Sequence, residues 1–250
     1  MAPPADDPDR WTSMEAYLRR LAATLPARPD ALVVVSAHWE TARPTVTVQA
    51  RPPLLYDYYG FPPETYRLAY PAAGDPELAD RIRWLLADAG IDSAADPERG
   101  FDHGVFIPLM LAFPEADIPI VQLSLQSGLD PERHLQVGRA LSSLRDANML
   151  IVASGMSYHN LGAFSDPAFN AAASAFDSWL TTTLCEDMAD IRSAKLIDWV
   201  SAPGARECHP RAEHLLPLMV AVGAVGDGPG RRSFAGMVWG KAVSGYHFAG

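Results

Sequence analysis

Cysteine is scarce in this chain. Cys185 and Cys208 are the only two among 250 residues, and no Cys-x-x-Cys occurs. That argues against a disulfide framework and a thiolate zinc site, and it fits a reducing cytoplasm. Long apolar runs are missing too, since none approaches the ~18 residues of a membrane-spanning helix. Positive charge is in deficit: 20 Lys and Arg stand against 30 Asp and Glu, a formal net charge of −10. Such a surface repels nucleic acid and anionic membranes, so neither is expected as a partner. Repeats and low-complexity tracts are absent. The opening MAPPADDPDRW is acidic and proline-rich, unlike a secretory signal, and residues 1–10 read as a disordered start.

What is present suits one sizeable α/β domain over residues 1–250, with 48% hydrophobic content. Apolar residues at Trp11, Met14, Leu18, Leu21 and Leu25 have helical spacing. ALVVVSA (31–37) is a continuous apolar run, as expected of a strand covered on both faces. PTVTVQA (44–50) alternates like a half-exposed strand. Residues 51–73 are rich in Pro and Tyr and too irregular for an element. A helix is predicted over 76–89, with Leu78, Ile82, Leu85 and Leu86 on one face. GFDHGVFIPLMLAF (100–113) reads as a tight turn into a short apolar helix, and IPIVQLSL (118–125) as a strand. The helix predicted over 130–146 has Asp130 as its cap and Pro131 at its first position. NMLIVASG (148–155) is a further strand. Helices are expected over 167–188 and from Pro210, and AVSGYHF near the end alternates like a last strand. The alternation predicts a three-layer α/β/α domain with a central mostly parallel or mixed sheet.

In open α/β sheets, ligands bind beyond the carboxyl ends of the strands. His38 follows one predicted strand in VVVSAHWE, and His159 follows another in VASGMSYHN. His103 sits in Asp-His-Gly, beside a glycine that permits a tight turn, and His214 sits early in a predicted helix. Imidazole is the commonest metal ligand and the usual proton carrier near neutral pH. Each has a bland alternative, because a lone histidine is more often a surface or satisfied core residue. His134 falls on the polar face of its helix and is expected at the surface. His209 before Pro210 reads as a turn former, and His247 as alternating outward. Tyr56, Tyr58, Tyr59, Phe61, Tyr66 and Tyr70 make either a packed loop or a substrate wall. None of the histidine pairs has His-Glu-x-x-His spacing.

Five stretches taken in order carry a family resemblance. They are VVVSAHWE, YDYYGFPPETYRLAYPA, GFDHGVFIPLMLAFPEADIPIVQLSL, VASGMSYHNL and HPRAEHLLPLMVAVGAVG. Together they resemble the DODA-type (4,5-DOPA) extradiol dioxygenases of the LigB-like, class III extradiol superfamily, over residues 11 to 250. The resemblance implies a non-haem Fe(II), or zinc as isolated, at the rim of the sheet. It implies His38 and His214 as metal ligands, His159 as the acid/base residue, and His103 as a substrate-orienting catalytic group. Glu40, Asp102, Tyr59 and Tyr158 are then candidates for substrate contact or for holding the histidines. The family's usual opening strand with a His-Gly motif, whose histidine is a further ligand, has no counterpart in MAPPADDPDRWTSMEAYL; His247 is only a weak candidate to replace that ligand.

The implied partners are a small aromatic diol and dioxygen, with the protein a monomer or small homo-oligomer in the cytoplasm. Two other readings stay open at this point. A zinc-dependent hydrolase could use the same rim, with His159 or Glu40 as base. A copy that had lost its metal could keep an aromatic-binding pocket.

Overall fold

The structure is a computed structural model that describes residues 10–248. The expected loose start therefore lies outside the described residues except at Arg10. That residue is buried, with its guanidinium carbon 3.4 Å from the centroid of the Trp239 ring. Helix α1 (Thr12–Leu21) follows as the apolar spacing predicts. Strand β1 (Ala31–Thr41) is an interior strand of the main sheet. Leu32, Val33, Val34 and Val35 have no exposed surface. Ala31, Val33 and Val35 face one core, while Leu32 and Val34 face the other. Both faces are covered, which is why this strand reads as an unbroken apolar run. Burying each such side chain contributes ~1.5–3 kcal/mol.

Strand β2 (Thr45–Thr47) is shorter than predicted and buried along its length, not half-exposed, because it lies inside the sheet. Helix α2 (Pro76–Asp88) begins where the Asp75 carboxylate accepts the Leu78 N–H and Pro76 takes the first turn. Strand β3 (Ala94–Asp96) has only three residues, too few for a periodic signal. Helix α3 (His103–Ala112) and strand β4 (Ile120–Gln126) match their predicted positions.

The single helix expected over 130–146 is two, α4 (Pro131–Ala140) and α5 (Ser143–Asp146). Between them Leu141 and Ser142 bond to carbonyls three residues back, which tightens the chain into turns. Asp130 caps α4 as predicted, accepting the N–H groups of Glu132 and Arg133. His134 is not at the surface but 2% exposed. Its Nδ1–H donates to the Asp130 carbonyl and its Nε2 accepts the Gln126 N–H, so the ring bridges the end of β4 to the start of α4.

Strand β5 (Met149–Ser154) is a half-buried edge. The helix expected over 167–188 is a 3₁₀ turn at Pro167–Phe169 and then α6 (Asn170–Cys185). Helices α7 (Ala189–Ile197) and α8 (Ala205–Cys208) precede α9 (Leu216–Val225), which starts later than Pro210. Strands β6 (Gly230–Val238) and β7 (Lys241–Phe248) pair antiparallel through Trp239 and Gly240, whose φ angles of 48° and 76° suit a tight primed turn. The expected last strand exists, but in a separate two-stranded sheet.

The main sheet has the order β3-β2-β4-β1-β5. Its pairs are parallel except β2 with β4. Helices α2, α4, α6 and α9 supply the core on one face, and α3 with Tyr70 and Phe113 supplies the other. Among the described residues, no helix is long and apolar enough to cross a membrane.

Candidate functional site

The rim site begins with an irregularity in β1. The strand pairs with β4 in register up to Val35 and resumes at Glu40. His38 lies inside this interruption, not past the strand's end as expected, and such a bulge re-aims a side chain. Its backbone is anchored from below. The Ser36 hydroxyl accepts the His38 N–H at 3.2 Å and donates to Asp102 at 2.7 Å. Asp102 has no exposed surface and accepts also from Arg99, at 2.9 Å, and from Gln122 Nε2. Asp102 stands at the N-cap of α3 yet does not cap it, because its carboxylate is turned into this network. Gly104 serves close approach and not the tight turn expected of it. A Cβ there would lie 2.5 Å from Ser36 Oγ and 2.8 Å from His38 Cδ2.

His103 opens α3. One oxygen of Asp57 accepts its backbone N–H at 3.0 Å and lies 2.8 Å from its ring Nδ1. The other Asp57 oxygen is 3.9 Å from His38 Nδ1. Burial raises the Asp57 carboxyl, but the His103 hydrogen bonds outweigh it and hold the group below the usual carboxylate range.

His159 comes five residues after β5 ends. Its N–H is held by the Cys208 carbonyl at 3.0 Å. Ser157 in the same loop is held twice. Its carbonyl accepts from His209 Nε2 at 3.0 Å, and its hydroxyl accepts the Ser244 N–H at 2.9 Å. His209 is thus a buried brace between this loop and α8, wedged against Phe176 and Trp199, and not a mere turn former. Glu213 Oε1 lies 3.2 Å from His159 Nδ1. Gly155 lets the loop approach the turn bearing His214, since a Cβ there would sit 2.2 Å from the His214 carbonyl oxygen.

The four rings meet. Centroid separations are 3.9 Å for His38–His103, 4.9 Å for His38–His214 and 3.3 Å for the stacked pair His159–His214. Burial, then the His103 ring, lowers the pKa of His38. Burial lowers that of His159, with Glu213 pulling it partly back. Burial and the surrounding rings push His214 down to about 2. These three imidazoles are neutral at pH 7 and present lone pairs. His214 Nδ1 is buried with no hydrogen-bond partner. Two groups, His38–Asp57–His103 and His159–Glu213–His214, each bring three donor atoms within 4.8 Å of one another. Neutral imidazoles and carboxylates crowded this closely suit a divalent cation that prefers N and O donors, so the residues fit a non-haem metal.

The other expected residues divide. Glu40 holds Arg211 through two 2.5 Å bonds, and Arg211 also reaches Glu213 at 3.5 Å. Asp102 supports His38 as described. Tyr59 is 92% exposed, whereas its neighbour Tyr58 sits edge-on to His103 at 5.6 Å. Tyr158 is fully buried against Phe164 in the core. His247, on β7, pairs with Arg231 of β6 in the separate hairpin. Sequence reasoning missed Asp57, Glu213 and Arg211. Asp57 had a signal, as the one carboxylate in the apolar and aromatic run from Leu54 to Pro63.

Comparison with known proteins gives a consistent result. The family model for the catalytic LigB subunit of aromatic ring-opening dioxygenase matches residues 3–242. Dioxygenase tasH of Hapsidospora irregularis is 41% identical over 240 residues, 89% of this chain and 72% of that protein. The 4,5-DOPA dioxygenase extradiol of Beta vulgaris is 44% identical over 204 residues, 80% of this chain and 75% of that protein. The Escherichia coli K12 protein of the same name is 39% identical over 210 residues, 82% and 76% of the two chains. A crystal structure of an uncharacterized Escherichia coli K12 protein superposes with a TM-score of 0.74 at 32% identity, covering 93% of this chain and 91% of that one.

Proposed function

The chain belongs to the LigB family of aromatic ring-opening dioxygenases, and from that premise we propose how its own residues divide the work of cleaving a DOPA-like catechol. It is an extradiol dioxygenase acting on catechol-type substrates. Dioxygen and the diol combine so that the ring bond beside the two hydroxyl-bearing carbons breaks, leaving a carboxylate on one side and an aldehyde on the other. Relatives named 4,5-DOPA dioxygenase extradiol support a side-chain-bearing catechol as the substrate.

The single observation that carries the division is the hydrogen bonding of the four rings. His103 and His159 each have Nδ1 within 3.2 Å of a carboxylate oxygen. His38 and His214 do not, and they lie side by side between the other two. His38 and His214 are the residues that would hold the metal. Bound there, Fe(II) supplies Lewis acidity toward the catechol oxygens and the redox chemistry that lets dioxygen react; zinc would supply only the first.

His159 takes the proton of a catechol hydroxyl at Nε2 and returns it after the ring opens. Glu213 on Nδ1 keeps Nε2 available as the acceptor and steadies the imidazolium while it lasts. The braces on this loop, His209 to Ser157 and Cys208 to the His159 N–H, fix the ring's position. Tyr58, Phe61 and Tyr66 form an aromatic cluster beside His103 that can wall the pocket and stack on the substrate ring.

The test is His159→Ala. It is expected to keep metal stoichiometry and lose ring cleavage by ~10²–10⁴-fold. Full activity in that variant would remove His159 from the mechanism.

A further inference from the structure

Arg211 stands in the loop between α8 and α9, just ahead of Glu213 and His214. Its guanidinium grips Glu40, which follows His38 and Trp39 on β1. Nη1 donates to one carboxylate oxygen and Nη2 to the other, both at 2.5 Å. Nη1 also reaches Glu213 Oε2 at 3.5 Å, and the other oxygen of Glu213 is the one beside His159. The strand bearing His38 and the loop bearing His214 are thereby tied across the rim. An arginine, however, carries five N–H donors in one plane and can fork a carboxylate on each of two edges. Glu40 occupies the edge made by the two Nη atoms. The edge made by Nε–H and the outer Nη2–H has no partner among the described residues, and the side chain is 56% exposed. A second guanidinium at the site, Arg99, is placed differently: its Nη2 is committed to Asp102 and to the His38 carbonyl, and its side chain is largely buried.

We propose that Arg211 is a specificity-determining residue that reads an amino-acid side chain on the catechol, taking its carboxylate on the free Nε/Nη2 edge. The proposal rests on the ring-cleaving reading above. In DOPA the hydroxyls and the side chain stand at opposite ends of the ring. With a hydroxyl at His159, the side chain faces outward to the rim, where only Glu213 separates Arg211 from His159. The free edge suits a carboxylate because it meets both oxygens in one plane, which a lysine ammonium does not reproduce. The charges around it select further. Glu40 and Glu213 already set two negative groups against one positive group, so a purely anionic side chain meets repulsion there. An α-ammonium beside the carboxylate offsets that repulsion, and Glu40 keeps part of its side chain open to solvent to face it. The chemistry that fits is a zwitterionic side chain, neither a simple acid nor a simple amine.

The experiment compares DOPA with dopamine, which lacks the carboxylate, and with dihydroxyphenylpropionate, which lacks the ammonium. Anaerobic equilibrium dialysis against the Fe(II)-loaded chain gives affinity, and oxygen uptake gives kcat/KM, for wild type, Arg211→Gln and Arg211→Lys. Wild type is expected to favour DOPA over each of the other two by ~10-fold. In Arg211→Gln the preference for DOPA over dopamine should fall to within about twofold, through KM more than kcat, and Arg211→Lys should restore only part of it. Equal treatment of DOPA and dopamine by wild type would overturn the proposal. So would a loss in Arg211→Gln that is uniform across the three compounds, since Arg211 would then act only as a support for Glu213. Dihydroxyphenylpropionate bound as well as DOPA would overturn the zwitterion requirement. Failure of wild type to cleave any catechol would sink the ring-cleaving reading, while the dialysis would still decide whether Arg211 reads the side chain; no binding of DOPA at all would overturn both. The wild-type comparison decides even if Arg211→Gln does not fold.

Discussion

Removing the Asp102 carboxylate tests whether the floor of the site is a load on the whole fold. Asp102 is fully buried and accepts from Ser36, Arg99 and Gln122. Ser36 and Gln122 are themselves fully buried. In Asp102→Ala their donors lose an acceptor that water cannot replace, at ~1–3 kcal/mol each. Arg99 loses its charged partner while its side chain is 18% exposed, which moderates that part of the loss. Breaking a buried ionic network from one side typically costs ~3–5 kcal/mol, and that is the expected destabilisation. For a chain of this size each kcal/mol moves Tm by ~2–4 °C, so Tm should fall by roughly 6–20 °C. Asp102→Asn keeps the shape but turns one acceptor into a donor, and should lose ~1.5–3 kcal/mol. Thermal unfolding of both variants is compared with Glu15→Ala, which removes only an exposed pair one helical turn long and should stay within ~0.5 kcal/mol. Because Ser36 also holds the His38 N–H, metal affinity should fall with stability. A Tm within about 3 °C of wild type for Asp102→Ala would refute the reasoning.

His209 predicts a pH effect on stability. Its folded pKa is lowered to about 4, chiefly by burial, against ~6.5 when unfolded. The unfolded chain takes up the proton first, so this contribution is intact above pH ~6.5 and lost as pH falls toward the folded value, at ~1.4 kcal/mol per pH unit. His209→Asn should flatten the pH dependence of the denaturation midpoint by about one proton; an unchanged slope would count against a neutral buried ring. Gly155→Ala forces a Cβ against the His214 carbonyl and should weaken Co(II) binding by ~10-fold or more, read by titration. His134→Ala strands the Gln126 N–H, costing ~1–3 kcal/mol, while the Asp130 carbonyl keeps the backbone N–H of residue 134, and metal stoichiometry should be unchanged.

The parts of this fold legible in the sequence are those with long-range periodicity or strong local chemistry. ALVVVSA reads as a doubly covered strand because both its faces are buried. Asp130-Pro131 reads as a helix start because capping is local. The four histidines were legible as a set from the family motifs, and two of them, His38 and His159, also from their places after predicted strands. What was not legible depends on partners distant in sequence. The interruption that puts His38 inside β1 is a matter of its pairing with β4. His134 is buried because its ring bridges two backbone segments, which no helical-face pattern reveals. Asp57 meets His103 across 46 residues, and nothing in the tyrosine-rich loop says which ring this carboxylate will find. Strands β2 and β3 have three residues each, below the length at which alternation can be distinguished from loop.

The central claim is that this rim cleaves a catechol with dioxygen, and the most direct measurement is product labelling. The Fe(II)-loaded chain is given DOPA under heavy-isotope dioxygen, with oxygen uptake and product mass followed together. The account predicts one dioxygen consumed per catechol and label retained in the new carboxylate of a ring-opened product. Ring opening without label, or no oxygen uptake with any catechol while a hydrolysable substrate is turned over, would contradict it.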